Sequence, residues 1–210
     1  MLTAIFETFI ILFVVVDPIG LAPMFAALTH GDSEAYKRRM ALKGTALAAL
    51  VLFVFMLAGS GLLKALGISL PAFRIAGGIL LFLLAIDMVF ARHSGLRSTT
   101  ASEQQEAEQK KDIAVFPLAI PLIAGPGAIT TLLLMTGPGQ DSIARLALVS
   151  AVLLGVLLLT LMSLLFAGRL MAWLGETGAN VVTRVLGIVL AALAMQFVLD
   201  GMNHAFFARA

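Results

Sequence analysis

Long apolar runs organise this chain, and they limit it to one class of fold. They occupy roughly 5–28, 44–66, 71–90, 113–136, 146–168 and 181–200. A helix needs about 20 apolar residues to cross roughly 30 Å of hydrocarbon, so each run is long enough to span a bilayer. Six spans use about 120 residues, close to the apolar share of a 210-residue chain that is 60% hydrophobic. Only 12% of the residues are charged, against about 25% in a soluble domain. These values exclude an ordinary water-soluble enzyme and, more firmly, a disordered chain. The expectation is an all-α membrane protein of six transmembrane helices with almost no extramembrane domain.

The first run has no Lys or Arg in residues 1–16 and continues past Asp17-Pro18. It reads as a retained span rather than a cleaved signal peptide, which needs a basic start and a cleavage site. The net charge is +2 and the pI 9.3, but the basic residues are few and lie in connections. No basic stripe with interleaved aromatics exists to bind nucleic acid. The absence of cysteine excludes disulfides and thiol chemistry. His30, His93 and His204 stand far apart, without metal-ligand spacing. No metal site and no cofactor are expected.

Basic residues in connections set orientation. One side receives Lys37, Arg38, Arg39, Lys43, Arg92, Arg97, Lys110, Lys111 and Arg169. The other receives Lys64, Arg145 and Arg209, and Arg74 and Arg184 add one to each. The richer side is predicted cytoplasmic, which puts both termini outside. Residues 30–43 read as the first connection and 91–112, the longest polar run, as a flexible cytoplasmic linker.

The chain also repeats itself. PIGLAP (18–23) and PLIAGP (121–126) carry prolines five apart. FRIAGGILLFLLAID (73–87) and TRVLGIVLAALAMQF (183–197) each place an Arg three residues before a Gly. Leu66-Gly67 matches Leu174-Gly175. Spans one and four, two and five, and three and six therefore correspond. The predicted organisation is a three-helix repeat in 1–90, the linker 91–112, and a second repeat in 113–210. Because three is odd, the repeats insert with opposite orientations, as in many secondary transporters.

The chemistry concentrates where the first and fourth spans break. Proline removes a backbone donor and clashes with the preceding turn, and glycine permits unusual dihedrals. Asp17, Pro18, Gly20 and Pro23 should break the first span, and Pro121, Gly125, Pro126 and Gly127 the fourth. A broken backbone in a membrane is tolerated only inside protein or beside a water-filled cavity. The freed N–H and C=O groups can then hold a small polar solute, and helix starts suit a carboxylate. Without a ligand, the same residues would make two proline kinks. Asp17 is the one ionisable side chain near the middle of a span. It has three readings: partner for a substrate ammonium, carrier of a coupling proton, or local cap on freed N–H groups. Thr130 and Thr131 follow the second break. Their hydroxyls would bind substrate or back-bond to helix carbonyls.

Arg74 and Arg184 begin spans three and six, and Asp87 and Asp200 end them. They are candidate gates or struts, with snorkelling to headgroups as the plainer alternative. Gln196 is expected to hydrogen-bond another helix. Gly77, Gly78 and Gly187 are expected to allow close packing. The span serines Ser60, Ser150 and Ser163 lack a partner base, which counts against an intramembrane enzyme.

DPIGLAPMF near the start, FRIAGGILLFLLAIDM in span three and PLAIPLIAGPGAITT in span four resemble the MarC family of six-span integral membrane proteins, over essentially the whole chain. The resemblance implies inverted three-helix repeats, a bacterial-type cytoplasmic membrane, and transport of small neutral amino acids such as glycine or alanine. It also implies that the broken-helix residues named above form the substrate site. The reading is a secondary transporter or exporter coupled to a proton or sodium gradient, since no nucleotide-binding glycine loop is present. Its partners are a zwitterionic amino acid and the bilayer, with a homo-oligomer left open. The alternatives are an uncoupled channel or facilitator, a drug or metabolite exporter, and a passive scaffold. One Trp and one Tyr are few for the aromatic-lined cavity of a drug site.

Overall fold

The structure is a computed structural model and describes residues 2–90, 112–137 and 142–206. All described elements are helical. The linker call on 91–112 therefore lies outside the described residues except at Asp112, as do His93, Arg92, Arg97, Lys110, Lys111 and Arg209.

The first span, Leu2–Leu28, consists of α1 (Leu2–Val16) and α2 (Pro18–Leu28). Helix α3 runs over Glu34–Ala65 and α4 over Leu70–Val89. An irregular segment, α5 (Ala114–Ile123), precedes α6 (Pro126–Thr136). Helix α7 covers Ile143–Leu165, and α8 covers Ala167–Phe206 with an interruption at Gly175. Five helices are long and apolar enough to cross a membrane, and α5 and α6, bent by 54°, make a sixth when taken as one span. The chain is an all-α membrane protein.

Two stretches read as connections turn out largely helical. Most of 30–43 belongs to α3, whose start is capped by Ser33 accepting from the Tyr36 N–H at 3.3 Å. Lys37 then pairs with Glu34 at 2.8 Å. Charged side chains suit an exposed helix as well as a loop, so polarity marked the membrane boundary and not the helix end. After α7, Ala167–Leu174 is helical before the chain turns at Gly175. Gly67 and Gly175 adopt φ of 67° and 66°, a left-handed conformation that glycine enters at little cost. The two matched Leu-Gly pairs thus each place a positive-φ glycine, one ahead of α4 and one ahead of the last span.

Lipid tails are as apolar as leucine, so membrane helices associate through close packing of small residues. Helices α4 and α8 lie antiparallel in this way. A methyl group added at Gly78 would meet the Ala194 carbonyl at 2.7 Å, one at Gly187 would meet Met88 at 2.9 Å, and one at Gly201 would meet the Pro71 carbonyl at 3.0 Å. Exposed apolar side chains such as Leu50, Val54, Leu158 and Ile188 form the lipid-facing surface. The core gathers around the broken spans: Val14, Val15, Val16, Leu21, Ala22 and Leu132 are all buried.

Candidate functional site

The first break is one residue wide. Helix α1 continues through the Asp17 N–H, which donates to the Phe13 carbonyl at 2.9 Å, and α2 resumes with Leu21 donating to the Asp17 carbonyl at 3.1 Å. Between them Asp17 turns left-handed, at φ 52° and ψ 65°. Asp is among the few non-glycine residues that enter this region. Its carboxylate, fully buried, accepts from the Gly20 N–H at 3.0 Å. The cap, one of the three roles open to Asp17, is present in the geometry. Pro18 has no N–H to give Val14, and Pro23 none to give Ile19. The Ser163 hydroxyl on α7 reaches the break and donates to the Pro18 carbonyl at 2.6 Å. A methyl group at Gly20 would collide with the Asp17 carboxylate and lie 2.9 Å from the Thr183 hydroxyl.

The second break is wider. Phe116 and Ile120 are extended, each preceding a cis proline, Pro117 and Pro121. The backbone bonds here span five residues, from Leu118 to the Ile113 carbonyl at 3.1 Å and from Ala124 to the Ala119 carbonyl at 2.8 Å. Gly125 is extended and offers no capping side chain to α6, which begins at Pro126. The first N–H groups of a helix lack intrahelical partners and carry its partial positive charge. In α6 these belong to Gly127 and Ala128, both buried. They border a small cavity of about 10 Å³, lined also by Val15, Leu84, Ile123 and Gly125, room for one water molecule. Gly127 lies close to Val15, so the second break abuts the end of α1.

The two helix starts, Pro18 and Pro126, both follow a break. The structural correspondence is therefore shifted by five residues from the proline-to-proline match in the sequence, and it sets Pro23 opposite Thr131. Thr131 is fully buried and its hydroxyl has no hydrogen-bond partner. Other span threonines are paired: Thr29, Thr136 and Thr160 back-bond to the carbonyl four residues earlier at 2.7, 2.8 and 2.9 Å. Thr45 on α3 is likewise unpartnered. Thr130 turns its methyl group onto Gly77 of α4.

The MarC family integral membrane protein model matches residues 2–206. The chain belongs to the MarC family. A UPF0056 membrane protein of Archaeoglobus fulgidus is 36% identical over 96% of this chain and 93% of its own length. YvbG of Bacillus subtilis, also a UPF0056 membrane protein, is 35% identical over 98% and 97%. YhcE of Escherichia coli is 34% identical over 96% and 93%. No solved structure matches.

In this MarC chain the charged pairs lie at the two ends of the α4–α8 contact. Gly201 packs beside Arg74, and Gly187 beside Met88, which places Arg74 near Asp200 and Asp87 within about two turns of Arg184. Among the described residues neither pair forms an ion pair, the bridges being Lys37–Glu34 and Lys43–Asp112. Gln196 was expected to bond another helix. It donates instead to Asp200 on its own helix at 2.9 Å, because four residues bring the two side chains onto one face.

At one end of the bundle, Asp112 accepts from Lys43 and from the Ala114 N–H, the latter at 3.1 Å. The hydrogen bond from Lys43 is the main reason its carboxyl titrates below the ordinary carboxylate range. Burial is the main influence raising the nearby Tyr36 phenol. At the other end, Arg145 donates to the Met135 carbonyl at 2.9 Å, satisfying the last turn of α6. Sequence reasoning missed Ser163, Thr183 and Val15 as neighbours of the breaks. Ser163 alone carried a signal, a hydroxyl in an otherwise apolar span, but nothing in the sequence aimed it at Pro18.

Proposed function

We propose that this MarC protein is a secondary transporter or exporter of small neutral amino acids, glycine and alanine among them, in a bacterial-type cytoplasmic membrane. One observation carries the reading: two buried helix breaks abut, and the second opens a helix start with no side-chain cap onto a small cavity. The first helix start already has the Asp17 carboxylate. The start of α6 has none, and it is the place for a substrate carboxylate. The substrate ammonium then lies toward Asp17 and the carbonyls freed by Pro18 and Pro23.

A cavity of about 10 Å³ holds a water, not an amino acid, so the site must open for substrate to enter. A space this small at the middle favours alternating access over an open channel, with inverted three-helix repeats rocking about the breaks. Arg74, Asp200, Arg184 and Asp87 serve as gate charges that pair in another state of the cycle. A proton or sodium gradient drives transport, and both termini face outward.

Reconstitution into liposomes tests this. Labelled glycine and alanine should enter faster than into empty liposomes when a proton or a sodium gradient is imposed separately, and should accumulate above equilibrium. Uptake equal to empty liposomes under every gradient would refute the substrate assignment.

A further inference from the structure

A basic cavity of about 880 Å³ lies where the end of α2 and the start of α3 meet the corner between α7 and α8. Phe25 and Leu164 form part of its apolar wall, and His30, Lys37, Arg38 and Arg169 line its polar part. Glu34 is the one acidic residue in the lining and is paired with Lys37. Arg169 packs over the Phe166 ring at 5.5 Å. Neither Arg38 nor Arg169 has a carboxylate in ion-pair reach among the described residues, so the cavity keeps at least two uncompensated positive charges.

Its depth in the membrane follows from the short helix Ala167–Leu174. Arg169 and Trp173 are four residues apart and share a face, and Trp173 is 85% exposed. Exposed Trp sits at headgroup level in membrane proteins, so Arg169 lies there too. A roomy pocket with basic groups at headgroup depth and an apolar wall running toward the hydrocarbon fits one ligand chemistry, a phosphodiester attached to acyl chains.

We propose that this cavity binds the headgroup of an anionic phospholipid of the phosphatidylglycerol type. The phosphate sits between Arg38 and Arg169, and the first acyl carbons lie along Phe25, Leu164 and Leu165. The bound lipid ties the first half of the chain, through α2 and α3, to the second, through α7 and α8. The proposal is independent of which solute the protein moves.

Trp173, the sole tryptophan, provides the readout. The purified full chain in a neutral detergent is titrated with dioctanoyl-phosphatidylglycerol, with dioctanoyl-phosphatidylcholine and with inorganic phosphate, following Trp173 emission and thermal unfolding. Phosphatidylglycerol should give a saturable emission change and a higher unfolding temperature, and the other two should give neither. Arg38→Gln should weaken binding about fivefold, and Arg38→Gln with Arg169→Gln roughly thirtyfold, as for basic residues at an anionic surface. Lysine at both positions should retain most of the affinity. Equal responses to phosphatidylcholine or to inorganic phosphate would overturn the lipid assignment, as would a double glutamine variant that binds phosphatidylglycerol like the unaltered protein.

Discussion

The two breaks solve the same backbone problem in opposite ways. The first is closed from within: Asp17 turns left-handed, its carboxylate caps Gly20, and Ser163 covers the Pro18 carbonyl. The second is left open: Gly125 supplies no cap, the span bends by 54°, and the buried N–H groups at the start of α6 border a cavity of about 10 Å³. A helix start without a cap costs stability. Keeping one beside a cavity, next to a start that carries a cap, is what the proposed function asks of a binding element set against a fixed one.

Substitutions at the two breaks should therefore behave differently. Gly20→Ala drives a methyl group into the Asp17 carboxylate and should cost about 1–3 kcal/mol, the range for overpacking a filled interior. Gly127→Ala comes closest to the movable ends of Leu81 and Leu84, at 3.0 Å, with Val15 at an ordinary 3.6 Å, and should cost under about 1 kcal/mol. Thermal unfolding in detergent compares the pair, and equal losses would erase the distinction.

Asp17→Ala removes the cap and should cost about 0.5–2 kcal/mol. Asp17→Asn keeps an acceptor and should retain stability. If it also leaves uptake and its pH dependence unchanged, Asp17 caps a helix and does nothing more. Ser163→Ala should cost about 1 kcal/mol, the net value of one hydrogen bond, with no counterpart on the α6 side. Thr131→Val replaces a buried unpartnered hydroxyl with a group of similar shape. It should leave stability equal or raise it by up to about 1 kcal/mol while lowering uptake. A clear loss of stability would mean that the hydroxyl is structural.

The smallest effect is expected away from both breaks. The Asp112 carboxyl is held below its ordinary value of 3.8. Its contribution is complete above about pH 4 and fades as pH falls through the lowered folded-state value. Because the pair with Lys43 is largely exposed, Asp112→Asn should cost at most about 1 kcal/mol. Unfolding curves at pH 7 and pH 3 should differ less for this variant than for the unaltered chain.

The spans were legible because hydrocarbon thickness fixes how many apolar residues a helix needs. The existence of both breaks was legible because proline and glycine act on their own backbone. Three things were not. The helical start of α3 at Glu34 is written in charged residues that suit a connection equally well. The five-residue shift that aligns Pro18 with Pro126 depends on which proline of each set begins a helix, and identical prolines do not reveal it. The unpartnered hydroxyl of Thr131 depends on what packs around it. Thr136, five residues along the same helix, back-bonds in the ordinary way.

The central claim, that the start of α6 opens to admit substrate, can be tested on a chain that contains no cysteine of its own. Ala128→Cys places one thiol beside the cavity, and Leu132→Cys places a control one turn deeper in the buried core. Reaction with a membrane-impermeant thiol reagent is then measured in proteoliposomes, with and without glycine. The account expects Cys at 128 to react slowly in the absence of substrate and to be protected by glycine, with Cys at 132 inert throughout. A position 128 that never reacts from either side, or reacts identically with and without glycine and alanine, would contradict it.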